Sequence, residues 1–161
     1  MKQRTHLVVG LAASLATGDM AAPAMLGAVI PDIDISWSYR RTRQGYRPRS
    51  GLPRWLGHRG ITHFALLWIG LFIAAAHVPH EQAALCLTGF AVGGLSHLAA
   101  DALTPAGIPL LSFQSHFSLH LCKTGSFVEN LIAAGLLVWI AWSLTKTPAL
   151  ARQVALLERF L

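Results

Sequence analysis

Residues 6–34 read HLVVGLAASLATGDMAAPAMLGAVIPDID, and the way this stretch meets a membrane decides the fold. As one continuous helix it would hold His6 and Asp32 roughly 39 Å apart, at 1.5 Å per residue. Thr17-Gly18-Asp19 and Pro23 break the apolar run, however, and Gly18-Asp19 reads as a turn. Charge points the same way. Lys2 and Arg4 precede the stretch, and seven arginines (Arg40, Arg41, Arg43, Arg47, Arg49, Arg54 and Arg59) follow it before Gly60. Basic flanks stay on the cytoplasmic side of a membrane, so both ends belong on one side. The stretch therefore predicts a hairpin of two short helices, residues 5–16 and 21–30. Each arm, about 15–18 Å long, is too short to cross a hydrocarbon core of about 30 Å.

The rest of the chain supports a membrane setting. Of its 161 residues 53% are hydrophobic and only 12% charged, and the mean hydropathy is +0.49. Length and composition suit a single domain, residues 1–161. The basic start and its short apolar core also fit a signal sequence, but the apolar pattern resumes at Met20. Three further runs, residues 61–78, 83–103 and 127–144, approach the 20 or so residues that a spanning helix needs. The expected fold is all-α: a polytopic membrane helical bundle of about five helical segments, one short N-terminal hairpin plus three spanning helices. A short surface helix is expected over residues 148–161, and long loops over 31–60 and 104–125. The net charge of +6 has positive-inside topology as its simplest cause; the arginine-rich loop also suits anionic lipid or a phosphorylated substrate. No specific nucleic-acid motif accompanies it.

With the hairpin topology, eight ionisable groups fall at one end of the bundle. His6 opens the first helix, and Asp32 and Asp34 follow the second. His58 and His63 sit in HRGITH, His97 and Asp101 in the last turns of the fourth helix, and Glu129 at the start of the fifth. Ionisable side chains at membrane depth are costly, so they face a cavity and pair with something. Imidazoles with carboxylates suit Zn²⁺, and such a mixed site also takes Mn²⁺ or Fe²⁺. His97 and Asp101, four residues apart, share a helix face, and Gly89 and Gly93 extend that ridge as a G-x-x-x-G surface for close helix packing. Pro105 and Pro109 then stop the helix. Each residue has a plainer alternative. Glu129 completes an S-x-x-E capping box with Ser126, the aspartates suit turns, and His97 with Asp101 suits a buried hydrogen-bonded pair. Cys122, near His116 and His120 in sequence, is a weaker candidate nucleophile.

Taken in order, TH at 5–6, PDID at 31–34, HRGITH at 58–63, LSHLAADALTPAGIPLL at 95–111, HFSL at 116–119 and TGSFVEN at 124–130 resemble the YdjM family. These are bacterial and archaeal inner-membrane proteins described as membrane-bound metal-dependent hydrolases. The resemblance runs over nearly the whole chain to residue 144. That family is similar in turn to the zinc phospholipase C and P1 nuclease superfamily, all-helical enzymes with an H-x-x-x-D helix motif. The similarity implies that His97 and Asp101 supply this motif, with Asp101 as a bridging carboxylate.

The expectation is a multi-pass protein of the bacterial inner (cytoplasmic) membrane, its site facing the cytoplasm. There it would cleave a phosphoester of a lipid or lipid-linked substrate, using two divalent ions, Zn²⁺ first, to activate water. His6, Asp32, Asp34, His58, His63, His97, Asp101 and Glu129 are the expected ligands. Asp34 or Asp32 would double as general base, and Arg59 would contact the phosphate. The alternative is a non-enzymatic metal-binding membrane protein: a sensor, carrier or adaptor. No H-E-x-x-H or G-x-S-x-G occurs to support a metalloprotease or serine hydrolase.

Overall fold

The structure, a computed structural model, describes residues 1–18, 20–42, 45–110 and 112–146. The predicted hairpin is present. Helix α1, Gln3–Thr17, stops at Gly18, whose φ of 76° is the left-handed conformation that glycine adopts without strain. Helix α2, Ala21–Val29, packs back along α1 and runs into a 3₁₀ turn at Ile30–Asp34. This turn carries both PDID aspartates. One helical turn, α3 (Ile35–Ser38), leads into strands β1 (Tyr39–Thr42) and β2 (Gly45–Pro48), paired antiparallel with Arg40 opposite Arg47. Two further 3₁₀ turns, Arg54–Leu56 and Ile61–His63, precede α4 (Ala65–Ala75), α5 (Glu81–Ala102) and α6 (Phe127–Thr145).

Helix α5 is the hub: α1, α2 and α4 all pack on it, and α6 packs on α1. Its glycines explain how closely the neighbours approach. A Cβ at Gly93 would overlap the Ala24 carbonyl of α2, and one at Gly94 would overlap the Trp68 ring of α4. Gly27 of α2 is matched in turn against the Phe90 carbonyl of α5. Small residues at such contacts let two backbones meet where lipid provides no hydrophobic drive between helices. Beyond α5, the loop over residues 104–125 folds back on its C-terminal end. The Leu119 N–H donates to Ala102 O, and those of Leu121 and Cys122 to Leu103 O, which satisfies carbonyls that a helix end leaves open.

Burial is inverted relative to a water-soluble protein. The largest fully buried side chains are Trp68, then His6, His63, His97 and Glu129, while Ile73, Phe127, Val138 and Trp142 are among the most exposed. An apolar exterior around an ionisable interior is what a lipid solvent dictates. Helices α5 and α6 are long and apolar enough to cross a membrane. The run at 61–78 differs from expectation. Its first residues form a 3₁₀ turn and the helix proper has 11 residues, about 16 Å, because His63 is drawn inward and Phe64 is extended. The loop at 31–60 is also more ordered than expected, holding the β-hairpin and three short turns. The surface helix expected at 148–161 lies outside the described residues.

Candidate metal centre

The close contact of α2 with α5 sets the first imidazole. His97 Nδ1 lies 2.7 Å from the Ala28 carbonyl oxygen. A carbonyl only accepts, so Nδ1 carries the proton and donates, and Nε2 is left facing inward. A carboxylate does the same for His63: its Nδ1 lies 3.2 Å from Asp34 Oδ2, which again turns Nε2 inward. The two Nε2 atoms face each other at 3.2 Å. Neutral imidazoles in these tautomers would oppose two lone pairs at that distance, so the contact needs either a proton on one Nε2 or a metal ion that both nitrogens face.

His6 adds a third nitrogen. Its ring stacks on His97 with centroids 3.7 Å apart, and it is fully buried with neither nitrogen hydrogen-bonded among the described residues. Buried polar atoms without a partner are rare and costly. His6 Nε2 faces Asp101 Oδ1 at 3.4 Å and Asp32 Oδ2 at 4.0 Å. Asp32 Oδ1 stands 3.7 Å from His63 Nε2 and 3.8 Å from His97 Nε2, and Asp101 Oδ2 stands 3.8 and 3.9 Å from the same two atoms. Ligands held tetrahedrally about 2.0–2.1 Å from a zinc ion are about 3.4 Å apart. The donor set and its spacing therefore fit a divalent metal. Among the described residues, three overlapping groups each bring one ligand atom per residue within 4.8 Å of one another: His6, Asp32 and His97; Asp32, His58 and His63; and His63, His97 and Asp101.

The other expected residues take different places. Asp34 is almost fully buried and surrounded by donors: His58 Nδ1 at 2.6 Å, the Arg59 N–H at 3.0 Å, the Thr62 hydroxyl at 2.8 Å, and His63 Nδ1. It holds the His58 and His63 rings from behind. Glu129 sits apart from the converging groups. Its carboxylate accepts from the Lys2 N–H and the Thr5 hydroxyl, both at 2.7 Å, and from the Gly125 N–H, while Ser126 caps α6 by accepting from the Glu129 N–H. It thus ties the start of α1 to the start of α6. Arg59 pairs with Asp101 Oδ2 at 2.8 Å and donates to the Gly107 carbonyl; its φ of 65° is left-handed, unusual for a residue with a side chain. The Met1 amino group also pairs with Asp101.

The sequence reading did not foresee Met1, Thr5, Thr62 or the Ala28 carbonyl. Only Thr5, in TH, and Thr62, inside HRGITH, carried a signal, each as a hydroxyl beside a candidate ligand. Cys122 is buried against Met1 and Ala100, and burial, with the Glu129 charge, pushes its thiol up and away from the reactive thiolate.

Electrostatics match the geometry. Burial alone would raise the Asp32 carboxyl, but the His63 contact and the nearby His97 and His6 hold it below the ordinary range. Burial is likewise outweighed at Asp34, by His58 and His63. His63 moves upward: burial disfavours its charged form, and Asp32, Asp34 and Asp101 overcome that. The carboxylates are thus ionised, and they draw positive charge to the centre.

Two open cavities reach the cluster. One, of about 430 Å³, is lined by His58, Arg59, Arg49, Gly107 and His116. The other, of about 760 Å³, includes Asp32 in its wall.

Comparison with known proteins identifies the family. The family model of the YdjM inner membrane protein matches residues 1–157. The inner membrane protein YdjM of Escherichia coli is 33% identical over 138 residues, covering 80% of this chain and 69% of that protein, and its Shigella flexneri counterpart gives the same figures. The uncharacterized protein YvsG of Bacillus subtilis is 35% identical over 148 residues, covering 84% of this chain and 89% of YvsG. No solved structure matches the chain.

Proposed function

We propose that this chain, which belongs to the YdjM family of inner membrane proteins, is a membrane-bound metal-dependent hydrolase that cleaves a phosphoester of a lipid or lipid-linked substrate. The observation that carries the reading is the pair of inward Nε2 atoms of His63 and His97, 3.2 Å apart beside the unpartnered His6. His6, His63, His97, Asp32 and Asp101 would hold the metal. With His58 included, Asp32 belongs to both a His6–His97 group and a His58–His63 group, so these residues would hold two ions. When bound, such ions polarise a phosphoryl oxygen and ease ionisation of water.

The chain's own groups would do the rest. Asp32, with 17% of its side chain exposed against 1% for Asp34, is the aspartate open to a cavity and placed to accept a proton from entering water. Asp34 fixes the His63 ring and the His58 ring. Arg59 holds Asp101 from the rim of the smaller cavity. A hydrocarbon-bearing substrate is supported by an apolar groove of about 290 Å³, lined by Val9, Ala100, Leu103, Ile132 and Leu136, which shares Met1 with the larger cavity. The arginine-bearing hairpin beside the centre favours the cytoplasmic face, and α4, between its polar ends, would complete a third passage by leaning on α5.

The test is elemental analysis of the purified protein together with phosphate release from phosphatidic acid and from a polyprenyl phosphate. Expected are bound zinc and release that a chelator abolishes. Unchanged metal content in both the His97→Ala/Asp101→Ala double variant and His6→Ala would overturn the proposal. Metal binding with no hydrolysis of any phosphoester would favour the sensor, carrier or adaptor instead.

A further inference from the structure

The larger cavity has a feature the metal centre does not explain. Arg40, Arg41 and Arg49 all line it, with Asp32 as the single acidic residue in its wall among the described residues. None of the three arginines has an ion pair among the described residues. Arg59, by contrast, is engaged with Asp101 and Gly107. Topology alone asks only that arginines stay on one side of the membrane; it does not ask that they ring a cavity. Arg49 also lines the smaller cavity, and a third recess is formed by Arg40, Arg49 and Ser50. The β1–β2 pairing carries Arg40 and Arg41 to the opening, and the Arg49 N–H, just past β2, donates to Ser38 O. Exposed Ile33 and Ile35 stand at the same wall.

We infer that Arg40, Arg41 and Arg49 form an anion subsite for a second phosphate of the substrate, one that is bound but not cleaved. The inference rests on the phosphoester reading above and narrows it to a head group carrying two phosphates, a diphosphate before all. A phosphate at the metal centre would meet the cations held by Asp32, Asp101 and the imidazoles. Three further guanidiniums are more positive charge than that one group needs. Guanidinium is suited to this task because its planar donors bind phosphate oxygens two at a time.

Pyrophosphate binding to the full-length protein in phosphatidylcholine nanodiscs, measured by calorimetry, tests it. The triple variant Arg40→Gln/Arg41→Gln/Arg49→Gln should bind at least about tenfold more weakly, since charge-assisted hydrogen bonds are lost. Its zinc content should match wild type, and Lys123→Gln, an exposed control outside the cavity lining, should change affinity less than about twofold. Equal affinity in the triple variant and wild type overturns the subsite, and so does an equal loss in Lys123→Gln. The His97→Ala/Asp101→Ala variant separates the two proposals: arginine-dependent pyrophosphate binding that survives loss of zinc upholds the subsite even where the metal reading fails. Nanodiscs containing phosphatidic acid identify the source. Competition with pyrophosphate assigns the subsite to a lipid head group, and undiminished pyrophosphate binding assigns it to a soluble diphosphate; both uphold it.

Discussion

Replacing Asp34 with asparagine separates a ligand from a residue that merely positions ligands. The carboxylate meets His58 Nδ1 at Oδ1, and the Arg59 N–H, the Thr62 hydroxyl and His63 Nδ1 at Oδ2. An asparagine has one acceptor oxygen. Set in the Oδ2 place, it keeps three of the four donors, and its amide then faces the His58 Nδ1–H, whose bond is the one lost. The opposite orientation would drive an NH₂ group into three donors, so the first prevails. What is lost is the negative charge behind His63 and one charge-assisted bond, about 1.5–3 kcal/mol of stability. Loss of such a supporting carboxylate typically weakens metal binding about 10–100-fold, or ~1.4–2.7 kcal/mol. Zinc titration against a competing chromophoric chelator reads this directly. The expected result for Asp34→Asn is weaker affinity with the same number of ions bound at saturation. A lower stoichiometry would make Asp34 a ligand, and an affinity within twofold of wild type would show that the contacts behind His63 do not matter.

Four further outcomes follow from named contacts. His6→Phe should lose zinc affinity, yet without metal it should be as stable as wild type or more so, because it removes buried nitrogens whose missing bonds cost about 1–3 kcal/mol; thermal melts with and without chelator check both. Arg59→Gly should be about 1 kcal/mol more stable than Arg59→Ala, since only glycine relaxes at a φ of 65°. Chemical denaturation of the pair measures it, and equal stabilities would show the backbone to be unstrained. Glu129→Gln should lower the melting temperature by loosening α1 from α6 while leaving zinc stoichiometry intact; an ion lost on that change would make Glu129 a ligand. Gly93→Ala should destabilise by about 1–3 kcal/mol, because the added Cβ overlaps the Ala24 carbonyl, and a variant as stable as wild type would remove the α2–α5 contact from the account.

The sequence made the convergence legible and left the division of labour hidden, for a physical reason. Turn residues at Gly18-Asp19 and charge on both flanks of residues 6–34 were enough to bring His6 back to Asp32, and the G-x-x-x-G of α5 announced a close neighbour. Those signals concern backbone paths, which periodicity and charge constrain over many residues. The role of a carboxylate depends instead on which of its oxygens meets which donor. Asp32 and Asp34 are two apart in one 3₁₀ turn, and that short winding aims the first at the imidazole cluster and the second at His58, Thr62 and the Arg59 N–H. No spacing rule distinguishes the two. Glu129 is the same case: S-x-x-E correctly marked a helix start, with Ser126 as its cap, but the carboxylate reaches across to Lys2 and Thr5, over 120 residues away in sequence. The β-hairpin escaped because its strands have four residues each and no apolar alternation. Its arginines resemble a topogenic charge run until pairing sets Arg40 and Arg41 over a cavity. The charge run therefore suggests an anionic ligand without saying where it binds, and the nanodisc measurement on the triple variant bears on a placement that only the folded chain possesses.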